Sequence, residues 1–138
     1  MLECIFVREH LKKYIRSAPY AAYVLDRIKK ASHKNIIVST SSGKHIKHFL
    51  RAVKLYKYFD EIFGIDRHSL DTAFDIAKEK ANKIKKYANK NKIDSRDIVV
   101  IGDRSGDIDA GLLIGATTYQ YVSKYFPDVK TNAKYKIS

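Results

Sequence analysis

The chain has 138 residues, with 27 Lys or Arg against 15 Asp or Glu, a formal net charge of +12. Its hydrophobic share of 45% excludes an intrinsically disordered chain despite that charge, and no apolar run approaches the ~18–20 residues of a membrane span. One cysteine, Cys4, excludes an internal disulfide and a zinc cluster. Met1 to Arg8 holds an acid inside a short apolar run and has no small-residue cleavage site, so a soluble, cytoplasmic protein is expected. The length suits one domain, and the basic balance points to anionic partners without specifying a fold.

The first thirty residues read as helix, broken at Ser17-Ala18-Pro19. After that proline, Tyr20, Val24, Leu25 and Ile28 recur at helical spacing. Asn35 to Ser39 predicts a short buried strand ending in the polar loop Thr40-Ser41-Ser42-Gly43, and Ile46, Phe49, Leu50 and Val53 then define one face of a helix. Glu61 to Ile65 is a weaker strand pattern, and about Asp71 to Asn91 is the longest helical one. Asp97 to Ile101 contains four β-branched apolar residues in a row, which predicts a parallel strand buried on both faces. It runs into Gly102-Asp103-Arg104-Ser105-Gly106-Asp107, then a short apolar helix through Leu112 to Ile114. Thr117 to Val122 alternates like a strand, and Tyr135-Lys136-Ile137 fits a small edge strand. Alternating strand and helix predicts an α/β fold with a mostly parallel sheet, whose ligands bind beyond the carboxyl ends of the strands. The loops 39–43 and 102–107 fall at such ends.

Three features look chemical. Asp103 and Asp107 are carboxylates four residues apart in a glycine-containing turn, a donor type that suits Mg²⁺, while Asp107 or Asp109 equally suits a helix N-cap. Ser39-Thr40-Ser41-Ser42-Gly43 offers hydroxyls and backbone N–H groups to a phosphate, or simply caps the next helix. Gly43-Lys44 is not a P-loop, since Val38 and His45 stand where that motif needs glycine and Ser or Thr. On a helical wheel Ala73, Ile76, Ala77, Ala81, Ile84, Tyr87 and Ala88 form one stripe. Lys78, Lys85, Lys86 and Lys90 lie outside it, but Lys80 lies near its middle, where an ammonium must snorkel or meet an anion.

This ordered set resembles the haloacid dehalogenase (HAD) superfamily of phosphatases. Ile36-Ile37-Val38-Ser39 looks like its second motif, and Lys80, placed 23 residues before Asp103, looks like its third. Ile101 to Gly111 looks like its acidic fourth. Ala18-Pro19-Tyr20, Tyr58 to Gly64 and Ile114-Gly115-Ala116 resemble the phosphoglycolate-phosphatase-like branch. The resemblance implies a Rossmann-like, three-layer α/β/α core over residues 18–138 and a remnant of a helical cap over residues 1–17. It implies Ser39 and Lys80 as catalytic groups, Ser39, Thr40 and Lys80 as phosphate ligands, and Asp103 and Asp107 as ligands of Mg²⁺. Whether Ser39 or Thr40 supplies the second-motif hydroxyl stays open.

The family's first motif, an Asp-x-Asp strand end bearing the nucleophile, has no counterpart before Ser39, where Asp26 is the one aspartate. Residues 5–30 resemble the last cap helix followed by the first core helix. The alternative placement sets Ile5-Phe6-Val7-Arg8-Glu9 on the first-motif strand and puts Val7 at the nucleophile's position. Either way the chain holds no nucleophile of the family's type and is expected to be inactive alone. The missing strand would lie between those at 36–39 and 98–101, so a fragment or split chain is expected, with a partner chain or self-association completing the sheet. The expected substrate is a small phosphorylated metabolite. A catalytically silent phosphate-binding remnant is the alternative. A basic nucleic-acid-binding module is a further one, drawn from seven lysines in residues 78–92 and ten tyrosines, but no recognition motif accompanies them. His10, His33, His45, His48 and His68 have no ligand-like spacing, and solvent-facing helix positions are expected for His45 and His48. A solvated surface position is expected for Arg104, with contact to a substrate as the alternative.

Overall fold

The computed structural model describes residues 15–65, 70–124 and 128–138. Cys4, the segment 5–9, His10, His68 and most of the proposed cap remnant at 1–17 lie outside the described residues. The chain divides into two compact units, Met1–Gly64 and Ile65–Ser138. The described strands pair in parallel throughout, giving an α/β fold.

In the first unit, α1 (Ala21–Lys30) starts just after Pro19 and carries Arg27, Lys29 and Lys30 in its last turn, where cations complement the helix dipole. Asp26 forms an ion pair with Lys30 and holds its ammonium above the ordinary lysine value. Leu25 and Ile28 are half-buried, but Tyr20 and Val24 stay exposed, so the expected stripe is covered on one side only. β1 (Ile36–Ser39) pairs with β2 (Glu61–Gly64), Ser39 lying opposite Gly64. A reciprocal contact sets this register: Asn35 N–H donates to the Asp60 carboxylate at 2.8 Å, and Asp60 N–H donates to the Asn35 carbonyl at 2.7 Å. Between the strands α2 (Gly43–Ala52) packs against β2. Ile46, Leu50 and Val53 are half-buried as their spacing predicts, whereas Phe49 is exposed. His45 and His48 are half-buried rather than solvent-facing.

In the second unit, Thr72 starts α3 (Ala73–Lys90) with a capping box. Its hydroxyl accepts from Asp75 N–H, and the Asp75 carboxylate accepts from Thr72 N–H. The face of α3 that turns inward comprises Ala77, Lys80, Ala81, Ile84 and Ala88, as the wheel predicts, although Ala73 in the first turn is exposed. The alanines let α4 (Ser105–Leu113) approach closely, and Ile108 and Ala110, on different sides of that helix, are both fully buried because it packs against α3, β3 (Val99–Gly102) and β4 (Thr117–Tyr121). β3 and β4 pair in parallel, and β5 (Tyr135–Ile137) adds to β4. A turn at Asp94 to Asp97 leads into β3, and the Arg96 guanidinium there holds the Asp94 carboxyl below the usual carboxylate range.

One expectation fails in this unit. The β-branched run predicts a strand buried on both faces, yet Val99 and Ile101 are 56% and 60% exposed. The other face of the sheet is covered, and it is polar: Thr118 and Gln120 are fully buried. They are tolerated because their hydrogen bonds are made. Gln120 Nε2 donates to the Val129 carbonyl at 2.5 Å, its Oε1 accepts from the Thr131 hydroxyl at 2.7 Å, and Thr118 Oγ1 accepts from Lys134 N–H at 3.0 Å. These bonds hold residues 128–134 against β4 and so place β5. Gln120→Leu is expected to cost about 1–2 kcal/mol, read as a lowered urea midpoint, because it strands the Val129 carbonyl and the Thr131 hydroxyl. An unchanged midpoint would show that water replaces the amide freely.

Candidate functional site

The turn after β3 is built around Asp107. Its carboxylate lies in the first turn of α4, where one oxygen accepts from Arg104 N–H at 3.3 Å and the other meets Lys80 Nζ at 2.5 Å. Lys80 therefore meets an anion instead of snorkelling: the residue is 9% exposed and its ammonium is paired across α3 and α4. Asp107 is not the N-cap. Arg104 holds that position, and Asp107 stands three residues on, reaching back to the cap's N–H. The capping role and the ionic role coexist in one carboxylate.

Gly102 makes this geometry possible. A Cβ at that position would lie 2.2 Å from Asp107 Cβ and 2.7 Å from its carboxylate, so any side chain would drive the start of α4 off the strand end. The missed elements of the site are thus backbone ones, the Gly102 Cα and the Arg104 N–H. The three-residue spacing from Arg104 to Asp107 is the signal that points to the second. Asp103 and Arg104 are exposed.

In the first unit the hydroxyl loop is ordered by its own side chains. Ser39 Oγ accepts from Ser41 N–H at 3.1 Å, and Ser42 Oγ accepts from His45 N–H at 3.2 Å. Ser42 is the N-cap of α2, which confirms the capping reading for that serine. Ser39 and Thr40 are half-buried at the carboxyl end of β1. Gly64 on β2 lets the loop come down on it, since a Cβ there would lie 2.5 Å from Gly43 N and 2.8 Å from the Ser41 carbonyl oxygen.

Among the described residues, no group of three or more His, Cys, Asp or Glu gathers to hold a metal. Asp103 and Asp107 offer the oxygen-donor type that a hard cation such as Mg²⁺ takes, one or two carboxylates with water and phosphate oxygens completing its octahedron. Both Asp107 oxygens have protein donors, but each carboxylate oxygen keeps a second lone pair, so a cation held there would share the group with Lys80. None of the described helices is long and apolar enough to cross a membrane.

A family model described as haloacid dehalogenase-like hydrolase matches residues 3–120. Among solved structures, a Thermotoga maritima protein assigned as a beta-phosphoglucomutase superposes with a TM-score of 0.75 at 18% identity, covering 99% of this chain and 65% of its own. An HAD phosphatase from Thermococcus onnurineus superposes at 0.72 with 20% identity, covering 94% of this chain and 57% of its own. A predicted phosphoglycolate phosphatase from Haemophilus somnus reaches 0.61 at 20% identity, with 75% and 43% covered. These likenesses establish a shared fold, and the chain spans less than two thirds of the length of each of these structures. No curated protein sequence matches the chain significantly.

Proposed function

The chain belongs to the haloacid dehalogenase-like hydrolases, and from that premise we propose that it is the phosphate-handling core of a Mg²⁺-dependent phosphatase acting on a small phosphorylated metabolite. The observation that carries the reading is the buried Lys80–Asp107 pair at the carboxyl end of β3. An ammonium kept out of water beside an acidic turn is costly unless it works on charge, and phosphoryl transfer is largely a matter of charge stabilisation. In this reading Ser39 or Thr40 donates its hydroxyl proton to a phosphoryl oxygen. Lys80 neutralises phosphate charge, and it fixes the Asp107 carboxylate in one rotamer. Asp103 and Asp107 hold Mg²⁺, which when bound neutralises phosphoryl oxygens.

Covalent phosphoryl transfer also needs an attacking carboxylate. Asp26 is the one aspartate before Ser39, and it is engaged by Lys30 on α1. The nucleophile therefore comes from a polypeptide segment outside these residues, in a longer product of the same gene or in a partner chain. That β1 and β3 each have one ladder partner among the described residues supports the addition of a strand. The missing nucleophile also favours a second reading, a catalytically silent subunit that binds phosphate for regulation.

The test is hydrolysis of p-nitrophenyl phosphate with Mg²⁺, by the chain alone and by the chain carrying an added strand that ends in Asp-x-Asp. Turnover is expected with the strand and not without it, and is expected to vanish again in Lys80→Met. Phosphate binding with no turnover in either form selects the silent subunit. Turnover by the chain alone would overthrow the need for an outside nucleophile. Asp103→Asn separates metal binding from folding: an exposed side chain changes stability by about 0.5 kcal/mol or less, while calorimetric Mg²⁺ affinity is expected to fall about tenfold. Equal Mg²⁺ affinity in this variant would remove Asp103 from the ligand set.

A further inference from the structure

We propose that the edge of the first unit at the amino ends of β1 and β2 is a binding surface for single-stranded nucleic acid. This inference does not depend on the phosphatase reading. The hydroxyl loop lies at the other end of the same strands: Ser39 stands four residues beyond Asn35, about 13 Å at the rise of a strand. In a parallel pair the connecting helix runs back to the edge where the next strand starts, so the segments before β1 and before β2 meet at one edge. The first brings Arg27, Lys29 and Lys30 from the last turn of α1, followed by Lys34. The second brings Arg51 from the last turn of α2, followed by Lys54 and Lys57. All seven are exposed. Two hydrogen bonds tie the segments together: Lys29 Nζ donates to the Lys57 carbonyl at 2.6 Å, and Asn35 Nδ2 donates to the Tyr58 carbonyl at 3.3 Å.

The carboxylates in these segments are Asp26, Asp60 and Glu61, and two of them are engaged: Asp26 pairs with Lys30, and Asp60 accepts from Asn35 N–H and lies 3.6 Å from Lys34 Nζ. The two helix C-termini add about half a negative charge each, which accounts for part of the positive charge and leaves a surplus. Aromatic rings select the partner. The Arg51 guanidinium lies 4.4 Å from the centroid of the Tyr56 ring, Lys57 Nζ lies 5.2 Å from that of Tyr58, and the Arg27 guanidinium lies 5.7 Å from that of Tyr23. Tyr23 is 61% exposed, one turn before Arg27 on α1. A ring beside a guanidinium takes a base by stacking while nearby ammoniums take phosphates, the combination that holds single strands. A duplex keeps its bases stacked and offers none to Tyr23, and an acidic peptide would use the cations and leave the ring idle.

The experiment titrates the full chain into labelled oligo(dT) over a range of salt, read by fluorescence anisotropy. Binding is expected at low salt, with the logarithm of affinity falling against that of salt at a slope of about −3, the value for four or five phosphates on a single strand. Lys54→Gln/Lys57→Gln is expected to make the slope shallower by about 1. Tyr23→Ala is expected to weaken binding about tenfold and leave the slope unchanged, a separation that a purely ionic surface does not give. Lys85→Gln/Lys86→Gln, exposed on lysine-rich α3, is expected to change neither. Circular dichroism verifies that the variants fold. No binding at low salt overturns the proposal, as does an unchanged affinity in Tyr23→Ala. Equal weakening by the α3 pair overturns it in favour of diffuse charge. Equal displacement of the oligonucleotide by polyglutamate overturns it in favour of an acidic protein. Retention on phosphatidylserine vesicles that oligo(dT) does not relieve overturns it in favour of a membrane surface.

Discussion

Replacing Asp107 by alanine is expected to destabilise the chain by about 3 kcal/mol, roughly a 10 °C fall in melting temperature for a domain of this size. The loss arises less from the missing contact than from what is left behind. Lys80 is buried on the inward face of α3 between Ala77, Ala81 and Ile84, and its ammonium has Asp107 as its anion. With the carboxylate gone, a charge is stranded in an apolar layer. The reverse change is milder. Lys80→Met removes the charge that needs a partner, and the remaining carboxylate still accepts from Arg104 N–H, so about 1–2 kcal/mol is expected. The double variant Lys80→Met/Asp107→Ala is then more stable than Asp107→Ala alone, a non-additivity expected of groups in direct contact. Chemical denaturation of the three variants decides the matter: equal losses for both single changes would mean that the pair is well solvated.

Gly102→Ala is expected to be nearly as damaging, at about 3 kcal/mol, near the upper end of what overpacking costs. The added methyl would lie 2.2 Å from Asp107 Cβ, an atom tied directly to the backbone, so no rotamer change relieves the clash. The start of α4 must move, lengthening both the Arg104–Asp107 and the Lys80–Asp107 contacts. In the Asp107→Ala background the Cβ remains and the clash with it, whereas in an Asp107→Gly background it disappears. Thermal melts should therefore show Gly102→Ala costing far less when combined with Asp107→Gly than when combined with Asp107→Ala. An equal cost in both backgrounds would locate the strain elsewhere.

The order of strands and helices was legible because hydrophobic periodicity carries it, and Lys80 stood out as a polar side chain in the middle of an apolar stripe. Its partner was harder to read. Asp107 has the spacing of a cap residue and of a metal ligand, and only the approach of α3 to α4 shows that it also neutralises a lysine. The sheet of the second unit was read least well. Four β-branched residues in a row signal burial on both faces when neighbours exist to provide it, and among the described residues nothing covers Val99 and Ile101. Thr118 and Gln120 carry no outward sign of burial, since polar strand residues ordinarily face water. Their burial depends on residues 128–134 folding back to satisfy them, a long-range event that local pattern does not encode. Gly102 likewise reads as a turn residue and Gly64 as part of a strand pattern, when what each supplies is empty space for an incoming chain.

Because one carboxylate both ties down the first turn of α4 and neutralises Lys80, that turn cannot fray in isolation: opening it would leave the ammonium without its anion. Helix ends ordinarily exchange their amide hydrogens through cheap local openings. In this chain the amides of Asp107 and Ile108, which bond to the Arg104 carbonyl, should instead exchange with the core of the second unit. A segment that looks like an exposed loop running into a helix would then carry the protection of an interior strand.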